Sequence, residues 1–462
     1  MTSHSTEQDT SEHSGQNGRT PLYGPEFAAD PRRIYAQLRS HGPTAPVEIA
    51  PGIPATLVTS YQAALEVLRD PATFPKDPRR WQQKVPPDCP VLPMMMYRQN
   101  CLFTDGAVHT RLRKAMSDSL GRVDVRDIRS YVETSADTLI DEFAFAGEAD
   151  LLLQYARILP LLVLNRMCGT PPAIGDRILT GMMGIFDGID AEKSNEELVT
   201  AISELVALKR LQPAADVASW MMEHPARLAD EELVHQHLVL MGAGCEPQQN
   251  LIANTLRLLL SDDRFGGDLA GGSLPVEEAL DEVLWTDPPM ANYGTTYPVQ
   301  EAQIGGNPVP ADEPVLISFA AANTDPTLVA GHGRVGNRAH LAFSAGPHTC
   351  PTPAQRMARV IASAAIEKLL DRLPDIELAV PADTLKWRPG PFHRALEALP
   401  VRFPPPSAPV QPDSIGDGQW STSPVPTSST RPAETSKPKP RTYDSEGQQR
   451  WWNYPAKWLR GR

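Results

Sequence analysis

Apolar residues recur every four positions between Ala354 and Leu373, at Met357, Ile361, Ala365, Leu369 and Leu373. That spacing draws one stripe along a helix and predicts an element buried on one side. A longer helical run, "DEELVHQHLVLMGAGCEPQQNLIANTLRLLLS", covers Asp230 to Ser261 and is mostly apolar, which places it at the centre of the molecule. Pro247 interrupts it, removing a backbone donor and crowding the carbonyl of Ala243 four residues back. Apolar periodicity resumes at Leu251, Leu256 and Leu259, so the pattern predicts a kink and not an end. Pro275 to Trp285 reads as another helix, with proline early in its first turn. Between Ala302 and Pro326, short β-favouring runs broken by Gly-Gly and Pro predict small strands. The chain is therefore expected to be mainly α with a minor β-region, and it shows no internal repeat.

The two ends differ from the middle of this 462-residue chain. Residues 1–20 are polar and lack the apolar core of a signal peptide. From residue 404 onward the chain is rich in Pro, Ser and Thr, which cannot bury enough surface to offset ordering. Both ends are expected to be disordered, leaving 21–403 as one globular unit or two closely packed lobes. No apolar run is long enough to span a bilayer, and a cytoplasmic protein is expected. The net charge is −13; beyond Pro404 the tail carries eight Lys/Arg against five Asp/Glu, so the remainder is more acidic still. An acidic body lacks the basic footprint that nucleic acid requires. The tail ends "RWWNYPAKWLRGR", which concentrates three of the eight tryptophans among basic residues. Such segments favour a partner's groove or an anionic membrane surface, so the tail is expected to dock on one of these, with peripheral membrane association as one form.

Five cysteines lie far apart with no Cys-x-x-Cys pair, which argues against a disulfide framework. Cys350 stands out in "FSAGPHTCPTPAQRMAR", Phe343 to Arg359. A buried core thiol fits poorly with the stiff irregular loop that Gly346, Pro347, His348, Pro351 and Pro353 describe. A zinc site needs further ligands at short spacing, and His348 and Cys350 have none beside them. A thiolate at the mouth of a helix, its pKa lowered by the free amides and dipole, accounts better for the pattern. From the residues alone, such a thiolate is equally a nucleophile or an axial ligand to haem iron.

Phe343-x-x-Gly346-x-His348-x-Cys350 resembles the haem-ligand loop of the cytochrome P450 superfamily. "TDGAVHTRLRKAM" (Thr104 to Met116) resembles that family's propionate-binding helix, "MGAGCE" its oxygen-groove motif, and "IGGNPVPADEPVLISFAAANTDP" its β-region. The motifs occur in the family's order across residues 21–403. The resemblance implies a cytochrome P450 fold holding haem b between the long central helix and the Cys-loop helix, with Cys350 as axial thiolate and metal ligand. It implies that His109, Arg113 and His348 hold the propionates, where a solvated helix face is the plainer alternative for the first two. It implies that Ala243 and Gly244 lie over the haem. Residues 21–403 would then be a haem-thiolate domain acting as a monooxygenase on a small apolar substrate, with electrons from ferredoxin and ferredoxin reductase.

The chain departs from the family pattern in four places. The family's Glu-x-x-Arg is here Glu282-Val283-Leu284-Trp285. Arg334 or Arg338 is expected to pair with Glu282, and Trp285 to fill the lost volume. The threonine that follows the family's acid is replaced by Pro247, so Glu246 or Gln248, through water, is expected to relay protons; the alternative for Glu246 is a simple surface acid. The family's propionate arginine before its Gly-Gly turn falls near Thr296. The stretch between Pro326 and Phe343 is also short. These changes feed two alternatives: a haem-binding regulatory or scaffold protein with impaired oxygen activation, and a peroxide-driven oxygenase. Deleting residues 450–462 is expected to weaken binding to anionic liposomes or to a protein partner, and unchanged binding in both assays would count against the docking role.

Overall fold

The computed structural model describes residues 18–187, 191–266, 274–328 and 337–405. The two ends expected to be disordered fall almost wholly outside these residues, as do Arg334 and the aromatic-basic segment. The described residues begin slightly before residue 21. Thr20 pairs with Val47 in a parallel ladder, and the Arg19 guanidinium meets Glu313 at 2.9 Å.

Helices dominate, as expected. The strands are β1 (Thr20–Pro21), β2 (Thr44–Ala50), β3 (Ile53–Val58), β4 (Glu148–Asp150), β5 (Asn292–Thr296), β6 (Ala302–Ile304), β7 (Asn307–Val309), β8 (Val315–Ser318), β9 (Glu377–Leu378) and β10 (Pro400–Arg402). They form a sheet of order β1-β2-β3-β8-β5, a second of order β4-β10-β9, and the β6-β7 hairpin. The predicted strands between 302 and 326 are present as β6, β7 and β8. That stretch closes with a short helix, Phe319–Asn323, because the Ser318 hydroxyl caps it by accepting from Ala321 N at 3.1 Å. The principal sheet was not foreseen at its other edge. β2 and β3 are buried on both faces, so their residues show no alternation to read.

Six helices frame the site: α1 (Gly106–Leu120), α2 (Val125–Phe143), α3 (Ile158–Met167), α4 (Asp230–Ser261), α5 (Leu274–Thr286) and α6 (Thr352–Arg372). α4 has the predicted limits and continues through Pro247. It packs against α3, α5 and α6 and is central, as expected. The stripe on α6 is buried at all five predicted positions. α4 is less apolar inside than its sequence suggests. Gln236, Glu246, Gln248, Asn250 and Asn254 are all buried on it, and side-chain amides bridge it to its neighbours. Gln236 donates to Leu112 O of α1 at 2.8 Å, Gln248 to Ala358 O of α6 at 2.9 Å, and Asn254 to Arg394 O at 2.9 Å. No helix among the described residues is long and apolar enough to cross a membrane. All five cysteines are free thiols.

Trp285, on α5, is buried and fills space as expected. Its indole N–H donates to Asn337 O at 2.7 Å, and its ring meets His340 edge-on at 5.8 Å. Of the two arginines expected near Glu282, Arg338 is exposed and lies 3.9 Å from Glu277. Arg334 lies outside the described residues, and Arg359 of α6 meets Glu277 and Asp281 of α5, each at 2.7 Å.

Candidate functional site

The loop that carries Cys350 is fixed by hydrogen bonds at both ends. Asn323 accepts from Leu341 N at 2.7 Å and donates to Leu284 O of α5 at 3.0 Å. Cys350 N donates to Phe343 O at 2.8 Å, and the Gln355 amide of α6 donates to Cys350 O at 2.7 Å. Gly346 has φ +68°, and a Cβ there would lie 2.1 Å from the carbonyl oxygen of Leu68. Only glycine fits that approach. Ser344 adopts φ +61° without being glycine. Such a residue costs on the order of 1–3 kcal/mol and persists only where its surroundings impose it. Here the Ser344 N–H is tied to Leu341 O at 2.7 Å and its carbonyl accepts from Thr349 Oγ1 at 3.3 Å.

Cys350 lies two residues before α6 and is partly exposed, as expected for a thiol at a helix mouth. Its acidity differs from the sequence expectation. Burial pushes the thiol up to about 11, against a downward pull from Arg113. Desolvation therefore outweighs the Arg113 charge at this thiol. A coordinated metal deprotonates such a thiol outright.

A polar cluster adjoins this loop. Asp105 occupies the N-cap position of α1, and its Oδ1 lies 3.0 Å from His348 Nε2. Its Oδ2 accepts from Lys76 N at 2.7 Å. His109, one turn into α1, stacks on His348 with ring centroids 4.1 Å apart. Arg113, two turns in, donates to Thr349 O beside Cys350. The positions 105, 109 and 113 repeat every four residues and so share one helix face. His109 is buried, which excludes the solvated-face alternative for it. Its Nε2 has no hydrogen-bond partner among the described residues. Burial first, then the nearby His348 and Arg113 charges, lower His109 to about 4. Burial also lowers His348, against the raising effect of Asp105. Both imidazoles are therefore neutral at neutral pH, and Arg113 carries a fixed charge.

On α4, Ala243 is exposed, whereas a Cβ on Gly244 would meet Leu164 of α3 at 2.8 Å. The two small residues thus have different surroundings: Ala243 leaves open space, and Gly244 lets α3 approach. Glu246 is 1% exposed, which rules out a surface acid. It forms an ion pair with Arg388 and accepts from Gln249 at 2.9 Å and Asn250 at 3.2 Å. Burial pushes its carboxyl up, but Arg388, His393 and these bonds outweigh it and hold the pKa below its ordinary value. Burial lowers His393 to about 4. Cys350, Arg113, His109 and His348 are thus joined in one network, and Glu246 belongs to another with Arg388 and His393. Sequence reasoning missed Asp105, Lys76, Arg388 and His393. Asp105 alone carried a local signal, an acidic residue directly before a helical run.

No family model matches the chain. It is similar to cytochrome P450 monooxygenase PikC of Streptomyces venezuelae, 33% identical over 394 residues that span 82% of this chain and 92% of the relative. It is 29% identical to 6-deoxyerythronolide B hydroxylase of Saccharopolyspora erythraea, over 83% of this chain and 98% of that one. Among solved structures, CYP154A1 from Streptomyces coelicolor A3(2) superposes with a TM-score of 0.73 at 26% identity, covering 83% of this chain and all of that one.

The Glu246–Arg388 pair yields a stability test. Arg388→Met leaves a buried carboxylate without its cation and is expected to cost ~3–5 kcal/mol in urea unfolding at neutral pH. Because the folded pKa of Glu246 is depressed, its contribution is present above the unfolded pKa and is lost as pH falls through the folded value. Glu246→Gln should therefore flatten the acid limb of the stability profile. An unaltered urea midpoint for Arg388→Met would show that the pair does not carry this energy.

Proposed function

This chain belongs to the cytochrome P450 superfamily, and from that premise we propose that it takes two electrons from a ferredoxin-type partner, through a ferredoxin reductase, and inserts one oxygen atom from O2 into a small apolar molecule. It is a monooxygenase whose cofactor is a cysteine-ligated haem b. The residues present fit that group. One thiol stands in a fixed loop at the start of α6, and a buried His109 nitrogen beside it lacks a partner. A charged Arg113 adjoins both. Haem, when bound, supplies oxygen activation, with a thiolate ligand favouring O–O cleavage.

The observation that carries the reading is the placement of Cys350 in that loop. In the proposal Cys350 would ligate the haem iron, its backbone fixed by the bonds at Phe343 and Gln355. Arg113, His109 and His348 bind the carboxylates, Arg113 through charge-assisted bonds. Ala243, exposed on α4, leaves room for substrate. Glu246 is proposed to move protons through water, since Gln248 has committed its amide to Ala358 O. The ion pair with Arg388 keeps Glu246 ionised at neutral pH, so it accepts a proton more readily than it donates one. Pro247, directly after it, offers no hydroxyl.

That deficit favours a second reading, a peroxide-driven oxygenase, which requires no relay of this kind. The reduced protein exposed to carbon monoxide is expected to give a strongly red-shifted Soret band that Cys350→Ala abolishes. An unshifted band, or no haem in the purified protein, would overturn the assignment of Cys350. In a reconstituted ferredoxin assay most reducing equivalents should appear as hydrogen peroxide, and turnover on added peroxide alone would support the second reading. Tight coupling of electrons to product would sink the proposed proton deficit.

A further inference from the structure

Lys76 lies on the segment between the helix Tyr61–Arg69 and α1, and it is 6% exposed. Its Nζ donates to Gly294 O at 2.8 Å and to Thr295 O at 3.1 Å, both on β5. Among the described residues it has no ion pair with any carboxylate. An ammonium carries three donors, so one remains unspent. Burying a cation is costly, and burial lowers Lys76 to about 8 against the raising effect of the Asp105 carboxylate.

Its surroundings indicate what the unspent donor faces. The Lys76 backbone N–H is bonded to Asp105, the residue that holds His348. The Lys76 charge acts on both His109 and His348. His109 Nε2, buried in the same cluster, has no partner. On β5, the Thr296 hydroxyl is buried and also unpartnered. Thr296 stands where the resemblance would place a propionate-binding arginine. An unspent ammonium donor, an orphaned imidazole nitrogen and Arg113 together describe a pocket for an anion with several acceptor oxygens.

We infer that Lys76 supplies, from the segment before α1, the cation for a haem carboxylate that strand β5 lacks at Thr296. This rests on the haem reading and assigns the carboxylate site a residue from a different part of the chain. The ammonium reaches across β5, using its carbonyls as a brace, and the replaced arginine is no longer required. Arg113 and Lys76 are then the two fixed charges of the carboxylate site, with His109 and His348 between them.

The test is haem retention, read as the rate of ferric haem transfer to excess apomyoglobin. Lys76→Met is expected to lose haem at least about ten-fold faster than the unaltered protein. That difference should disappear when both proteins are loaded with iron protoporphyrin IX dimethyl ester, which lacks the carboxylates. Adding Thr296→Arg to Lys76→Met should restore retention of haem and leave retention of the ester unchanged. If Lys76→Met alone yields no folded protein, the double variant decides: a folded, haem-loaded product supports the inference, and an unfolded one overturns it. Equal retention by Lys76→Met, or a penalty that persists with the ester, would assign Lys76 a purely structural part. Failure of the unaltered protein to take up haem would overturn the cofactor reading itself, a result distinct from either.

Discussion

A single carboxylate, that of Asp105, joins the three segments from which the site is built. One oxygen holds the backbone of Lys76, the other meets His348 of the Cys350 loop, and the residue itself starts α1. Because α1 begins at that point, His109 and Arg113 follow on the same face and reach the loop from one side. A shift of α1 by one residue would turn that face by about 100° and disperse the cluster. The arrangement fixes charge as well as position. Burial keeps both imidazoles neutral, so the cationic character of the site resides in Arg113 and Lys76.

The long helix α4 imposes the second constraint. A buried helix needs partners for the polar groups it carries. Gln236, Gln248 and Asn254 donate their side-chain amides to backbone carbonyls of α1, α6 and Arg394. The same residues fix where the helix lies and limit what it can contribute to proton movement. Glu246 is stabilised by Arg388, but the pairing that makes its burial tolerable also holds it ionised.

Around α5, Trp285 is a buried ring with a hydrogen bond to Asn337, and Arg359 of α6 meets Glu277 and Asp281. Ser344 accepts a left-handed backbone because the loop on both sides is bonded in place.

The sequence alone determined the helices that carry a strong period, since a four-residue stripe survives any tertiary arrangement. It determined α4 to its limits, the stripe on α6, and Cys350 at the mouth of a helix, because motif and turn residues are adjacent in the chain. It also singled out His109, Arg113 and His348. Only the tertiary structure decided the rest. β2 and β3 carry no alternation because both faces are buried. The thiol of Cys350 is raised and not lowered because the folded chain buries it, against the pull of Arg113 from α1. Lys76, Arg388 and His393 lie far in sequence from the groups they serve. Their roles arise from burial, which makes an unpaired charge or donor expensive only once the chain has folded around it.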